Sequence, residues 1–188
     1  MWGQLREHMM KHIPVRGVRT LARDRRGATI IEFAVVAAPF VALILATIQT
    51  SLVFFAQQCL ETVAEETARQ IVTGQAQRKG LTKDDFDASA CGNLPAFMKC
   101  ANLMIDVQTV NSFADINTTP PTITYDSTGK PKDNWQYSPG AAGSIVVMRT
   151  MYLLPVVSGP LGFNLATAGN GKRLLIATSV FQSEPFKS

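Results

Sequence analysis

The residue types with chemical meaning gather near the start of the chain. Gly27 is followed by Ala28, Thr29, Ile30 and Ile31, then by a carboxylate at Glu32 and an aromatic ring at Phe33, fifth and sixth after the glycine. A glycine between a basic, solvated stretch and an apolar one leaves the backbone accessible, because no side chain shields it. Glu32 is the last charge before Glu61. A carboxylate in a membrane segment costs up to ~3 kcal/mol at the centre and less at the interface, so Glu32 is either paired or seated among headgroups. Other reactive types are sparse. The only histidines, His8 and His12, precede Gly27, which removes Ser-His and Cys-His nucleophile pairs and imidazole metal sites from everything after it. His8 and His12 are four apart, but no cysteine or further histidine completes a metal site beside them. The carboxylates show no catalytic spacing. No metal, no cofactor and no enzymatic activity are therefore expected.

The element that positions Gly27 and Glu32 is the apolar run ending near Ala56. It carries no charge from Phe33 to Leu60, and about 20 mostly apolar helical residues cover the roughly 30 Å hydrocarbon core of a bilayer. Ordinary signal peptides place their cleavage site beyond the apolar region, whereas here the basic residues and the glycine precede it. The chain's net charge is +4, but residues 1–27 hold seven Lys/Arg against Glu7 and Asp24, which leaves −1 for the rest. A nucleic-acid partner is excluded on that ground, since the basic excess sits in a leader and not across a folded face. The same excess keeps the N-terminus cytoplasmic, while Glu61, Glu65 and Glu66 mark the far side. At 188 residues the chain amounts to one modest domain plus a membrane helix. The expected segments are a leader over 1–27, a transmembrane helix over 28–56, its continuation over 57–74 and an exported domain over 75–188.

Within the run, Ala34, Ala38, Ala42 and Ala46 recur every fourth residue and share a helix face. Small residues at that spacing let another helix approach closely; equally, alanine is common in such segments. Pro39 is tolerated there and is expected to kink the helix. Leu60, Val63, Ala64, Thr67 and Ile71 continue the helical period, and Gly74 reads as its stop. A helix from Ala28 to Thr73 would run about 69 Å at 1.5 Å per residue, so its outer half must lie against the exported domain. Gly74 to Gly80 reads as a polar linker. Thr82 with Asp85 reads as a capping box opening a short helix over Lys83 to Ala90, and Pro95 favours a further helical turn running to Cys100.

Cys91 and Cys100 lie in the exported half, where disulfides form and persist. Their bridge is the expected one, although three cysteines, with Cys59, leave the pairing open on sequence alone. Leu103, Ile105 and Val107 alternate with Met104, Asp106 and Gln108 as a half-buried strand, and further strands are expected within Ser144–Val157 and Lys172–Gln182. The fold class is α+β, with a long N-terminal transmembrane helix extending into an exported domain of short helices and a small antiparallel β-sheet. On the intervening loop, Trp135 and Tyr137 are either partner contacts or a cover folded back on the sheet.

The segment G-A-T-I-I-E-F, Gly27 to Phe33, resembles a type IV prepilin peptidase site. Together with FFAQQCLETVAEETARQIVTG and the later CGNLPAFMKC it makes the chain similar to the TadE-like family of minor pilins, or pseudopilins, of the tight-adherence (Tad) pilus system. The resemblance covers Arg25 to Phe113, and Phe33 stands where tyrosine is typical of major Tad pilins. It implies cleavage after Gly27 by a prepilin peptidase on the cytoplasmic side, which makes Ala28 the new N-terminus and its amine a partner for Glu32. It further implies assembly or initiation of a type IVb, Flp-type pilus for surface adherence, with other Tad pilins and minor pilins and an inner-membrane assembly platform as partners. The protein would sit in the lipid bilayer of the bacterial inner membrane, single-pass, with its C-terminal domain periplasmic or incorporated in the extracellular pilus. The alternative is an uncleaved membrane anchor whose domain binds a periplasmic ligand or partner.

Overall fold

The computed structural model describes residues 27–186 except 118, 128 and 133. The leader up to residue 26, with its two histidines, lies outside the described residues. The chain divides into two compact units between Ile44 and Leu45. Helix α1, Ala28–Val72, contributes to both and continues through Pro39.

In the first unit the helix is apolar on every side beyond Glu32, and its large side chains stand out from the protein. Ile30, Ile31, Phe33, Val35, Val36, Phe40, Val41, Leu43 and Ile44 are all exposed. A helix that is hydrophobic all round belongs in a core or a membrane. Over its most apolar window the mean hydropathy is 2.4 and only 6% is buried inside the protein. That is the condition of a membrane anchor.

The second unit is built on the rest of α1. Val53, Ala56, Leu60, Val63, Ala64, Thr67, Ala68 and Ile71 are buried, and their three- and four-residue spacing makes one stripe. Opposite it stands a three-stranded antiparallel sheet of β1, Leu103–Val110, β2, Ile145–Pro155, and β3, Lys172–Gln182, in that spatial order. Its register pairs Ile105 with Thr150 and Tyr152 with Leu175. Alternate residues of the strands, Ile105, Val107, Val146, Met148, Tyr152, Leu175 and Ala177, form one core with the α1 stripe. Fully burying one such side chain contributes about 1.5–3 kcal/mol.

The chain between α1 and the sheet is more structured than a linker. Gly74 takes a left-handed conformation at φ 70°, which glycine alone adopts without cost, and a Cβ there would collide with the Phe186 ring. A single helical turn, α2, Gln75–Arg78, follows and inserts Ala76 into the core. The expected polar linker is thus corrected, because one apolar alanine on the inner side is enough to seat the turn. Helix α3, Lys83–Gly92, opens on the capping box of Thr82 and Asp85 and buries Phe86 and Ala90. After it Pro95 supports a turn closed by Met98 N–H to the Pro95 carbonyl at 2.8 Å, and a 3-10 turn over Cys100–Asn102 leads into β1.

The second face of the sheet is also covered. Met104, Met151 and Leu153 are buried there under Ile123, Tyr125, Trp135 and Ala168. Strand β1 is therefore buried on both faces from Met104 to Val107, where strict alternation predicts one solvated face. The covering chain is the long β1–β2 connection, whose polar composition conceals its few apolar anchors, joined by Ala168 from the β2–β3 connection.

Candidate functional site

The helix entrance is the first candidate. Gly27 precedes α1 directly, and a Cβ built on it would meet nothing within 4 Å. The space beside its Cα is accordingly empty, although the residue is half-buried. Glu32 and Phe33 lie one turn into the helix and are exposed. Ala28 and Glu32 are four apart in a helix and so share a face. Of the alanine stripe, Ala34 and Ala38 are exposed, Ala46 is half-buried and Ala42 is buried. Among the described residues no cluster of three or more His, Cys, Asp or Glu is arranged to hold a metal ion.

In the second unit the disulfide joins Cys91 at the end of α3 to Cys100 ahead of β1, with a Cα–Cα distance of 5.4 Å, and Cys59 is free. The bridge fixes the short segment that carries Phe97 and Met98. Tyr152 holds the same segment from the sheet, its hydroxyl accepting the Lys99 N–H at 2.8 Å.

Trp135 and Tyr137 are both half-buried. Tyr137 packs on Phe86 with ring centroids 5.1 Å apart, on the α1 side of the sheet, while Trp135 covers the opposite face. Residues two apart in a regular strand would share a face, so the segment is not a regular strand, and it meets β1 through a single bridge between Tyr137 and Val107. Val107 N–H donates to the Gln136 carbonyl and Ser138 N–H to the Val107 carbonyl, each at 2.9 Å. The free edge of β1 is thereby paired, which blunts it against association. Burial, then the charges of Asp87 and Asp85, raise the Tyr137 hydroxyl above its ordinary value of 10.0.

Asp106 is the residue that sequence reading passed over. It is a buried carboxylate that accepts the Gln136 N–H at 2.9 Å and the Gln108 side-chain amide at 2.7 Å, with Arg149 at 4.0 Å. Arg149 in turn donates to the Asn117 carbonyl. Both carboxylate oxygens serve structural donors, so the group pins the covering loop to the sheet. Its only sequence signal was a charge inside an otherwise apolar strand.

The family model described as TadE-like protein matches residues 27–69. No curated protein and no solved structure matches the chain. The match begins at Gly27 and ends in the last turn of α1, so it takes in the glycine, Glu32, the exposed apolar helix and most of the stripe that builds the core. Beyond that point the domain rests on its own geometry. Over residues 27–69, the entrance and most of the length of α1, the chain is therefore similar to TadE-like proteins.

Proposed function

We propose that this chain is a minor pilin or pseudopilin that acts in assembly or initiation of a Tad pilus used for surface adherence. A prepilin peptidase removes the basic leader after Gly27, and the apolar helix stays in the inner membrane with the domain on the periplasmic side. The observation that carries the reading is Gly27, with empty space beside its Cα, placed shortly before an exposed Glu32 at the head of a helix whose large apolar side chains are exposed as far as Ile44. Cleavage leaves an α-amino group on Ala28, one turn from Glu32 on the same face. A charge pair there, within one subunit or between two, offsets the cost of an isolated carboxylate at the bilayer edge. The exposed Ala34 and Ala38 supply a face on which another subunit's helix or the assembly platform packs closely. The domain serves as a recognition and positioning body and carries no catalysis.

The test is the N-terminus of the protein isolated from native membranes with and without the prepilin peptidase. A chain starting at Ala28 only when the peptidase is present is the expected result. A chain starting at Met1 in both cells would instead indicate a permanent anchor with a periplasmic binding domain. Glu32→Ala is expected to insert into the membrane and to abolish pilus assembly in a complementation assay. Normal piliation in that variant would remove the carboxylate from the mechanism.

A further inference from the structure

The second unit has an apolar base that its own fold leaves open. A cleft of about 360 Å³ is lined by Leu52, Val53, Phe55, Phe97, Val156 and Val157. Phe55 on α1 stacks on Phe97 of the disulfide-held segment at 5.6 Å between centroids. The loop after β2 lies against the same stretch of helix, since a Cβ on Gly159 would stand 3.2 Å from Gln49 Oε1. At the loop's tip Leu161 is 85% exposed and Val157 is 75% exposed. Leu161 also has a left-handed backbone at φ 58°, which is uncommon for a residue with a Cβ. In water such a leucine gains nothing for its strain.

Continuity with the anchor says what covers this base. The apolar run opens at Ile30, and about 20 helical residues span the hydrocarbon core, which brings the outer boundary to the level of Gln49. Leu52, Phe54 and Phe55 are still exposed, and charge returns on the helix only at Glu61. The cleft is therefore at the depth where the bilayer ends. The charges around it agree. Lys172 and Arg173 pair in register with Pro155 and Leu154 beside the cleft, Lys99 follows Phe97 by two residues, and no Asp or Glu occurs in 93–102 or 153–175. Basic groups at that level attract anionic headgroups.

We infer that the base of the domain is a second membrane contact, in which Phe97, Val157 and Leu161 enter the outer leaflet and Lys99, Lys172 and Arg173 meet anionic phospholipid headgroups. Interfacial apolar faces bury about 5–10 Å into the headgroup and acyl boundary, and the cleft takes up lipid chain there. The inference rests on α1 being a membrane anchor.

The test uses the full chain with Cys59→Ser, so that the bridged pair leaves no free thiol, reconstituted in vesicles of phosphatidylcholine mixed with phosphatidylglycerol. An environment-sensitive fluorophore is placed through Leu161→Cys, through Phe40→Cys as the insertion control, and through Lys79→Cys as the aqueous control. At Leu161 the expected result is a blue shift, strong quenching by lipids with a doxyl group high on the acyl chain, and several-fold weaker quenching by iodide than at Lys79. A Phe40 label quenched by doxyl lipid together with a Leu161 label that iodide quenches as at Lys79 would overturn the second contact and leave the anchor intact. A Leu161 label shielded from iodide but untouched by doxyl lipid would overturn it in favour of a protein cover. An unquenched Phe40 label would overturn the anchor itself.

Discussion

The two ends of α1 are both rich in apolar residues, yet they meet opposite surroundings. Between Ile30 and Ile44 the large apolar side chains stand exposed, whereas Leu60 and Ile71 are completely buried. The difference lies in where polar residues fall. In the first stretch no polar side chain breaks the apolar surface after Glu32, and a helix of that kind needs lipid around it. In the second, Glu65, Glu66 and Arg69 keep one side in water while the stripe from Val53 to Ile71 packs on a sheet. One continuous helix thus uses lipid and protein in turn to remove its apolar surface from water.

Substitution at the two ends should separate these roles most sharply. Leu60→Ala is expected to destabilise the domain by about 2–5 kcal/mol, the range for emptying a packed core site. Val36→Ala should leave unfolding unchanged to within about 0.5 kcal/mol, as for positions away from any packed feature. Urea unfolding in detergent, followed by near-ultraviolet circular dichroism, measures both. Equal effects would break the comparison. Next in size is the bridge. Cys91→Ser should cost about 2–3 kcal/mol on the chain-entropy account of a short loop, and reduction of the natural protein should reproduce that shift in the urea midpoint. A bridge that merely decorates the surface would give no shift.

A smaller effect than that of the bridge is expected at the start of α3, whose buried residues are Phe86 and Ala90. Thr82→Ala removes the cap and should cost about 1 kcal/mol. The hydrogen bonds from the Thr82 side chain and backbone hold Asp85 below its ordinary value of 3.8. Because the folded state binds this proton less readily, the group's contribution is present above about pH 4 and is lost as pH falls through the lowered value. The acid limb of the unfolding profile should therefore flatten in Thr82→Ala. An unchanged limb would show that Asp85 titrates alike in folded and unfolded chains.

Much of this molecule was legible before its structure. Periodicity marked α1, and Gly74 marked its end, because only glycine takes the left-handed turn there without strain. Thr82 and Asp85 announced α3 through local hydrogen bonds, and β2 and β3 lie within the apolar segments expected of them. The reading thinned where an element depends on distant residues. Ala76 looked like part of a linker, since a single buried alanine makes no pattern. Trp135 and Tyr137 lie in a polar loop that composition calls exposed, yet their rings pack on opposite faces of the sheet. Asp106 looked like a solvated strand position and is instead the anchor of that loop. Phe186 gave no signal of its closeness to Gly74 or of its ring lying 6.0 Å from the Arg78 guanidinium carbon.

Local chemistry by itself therefore determined the glycine, the carboxylate shortly after it, the apolar anchor, the cap and the α+β class. Each depends on residues within a turn or two of one another, or on the mean apolarity of a run. Only the tertiary structure decided what covers the second side of the sheet, and that Phe55, Phe97 and Val157 from three separate segments meet in one apolar base. Those outcomes are set by contacts between residues far apart in the chain, and no local period encodes them.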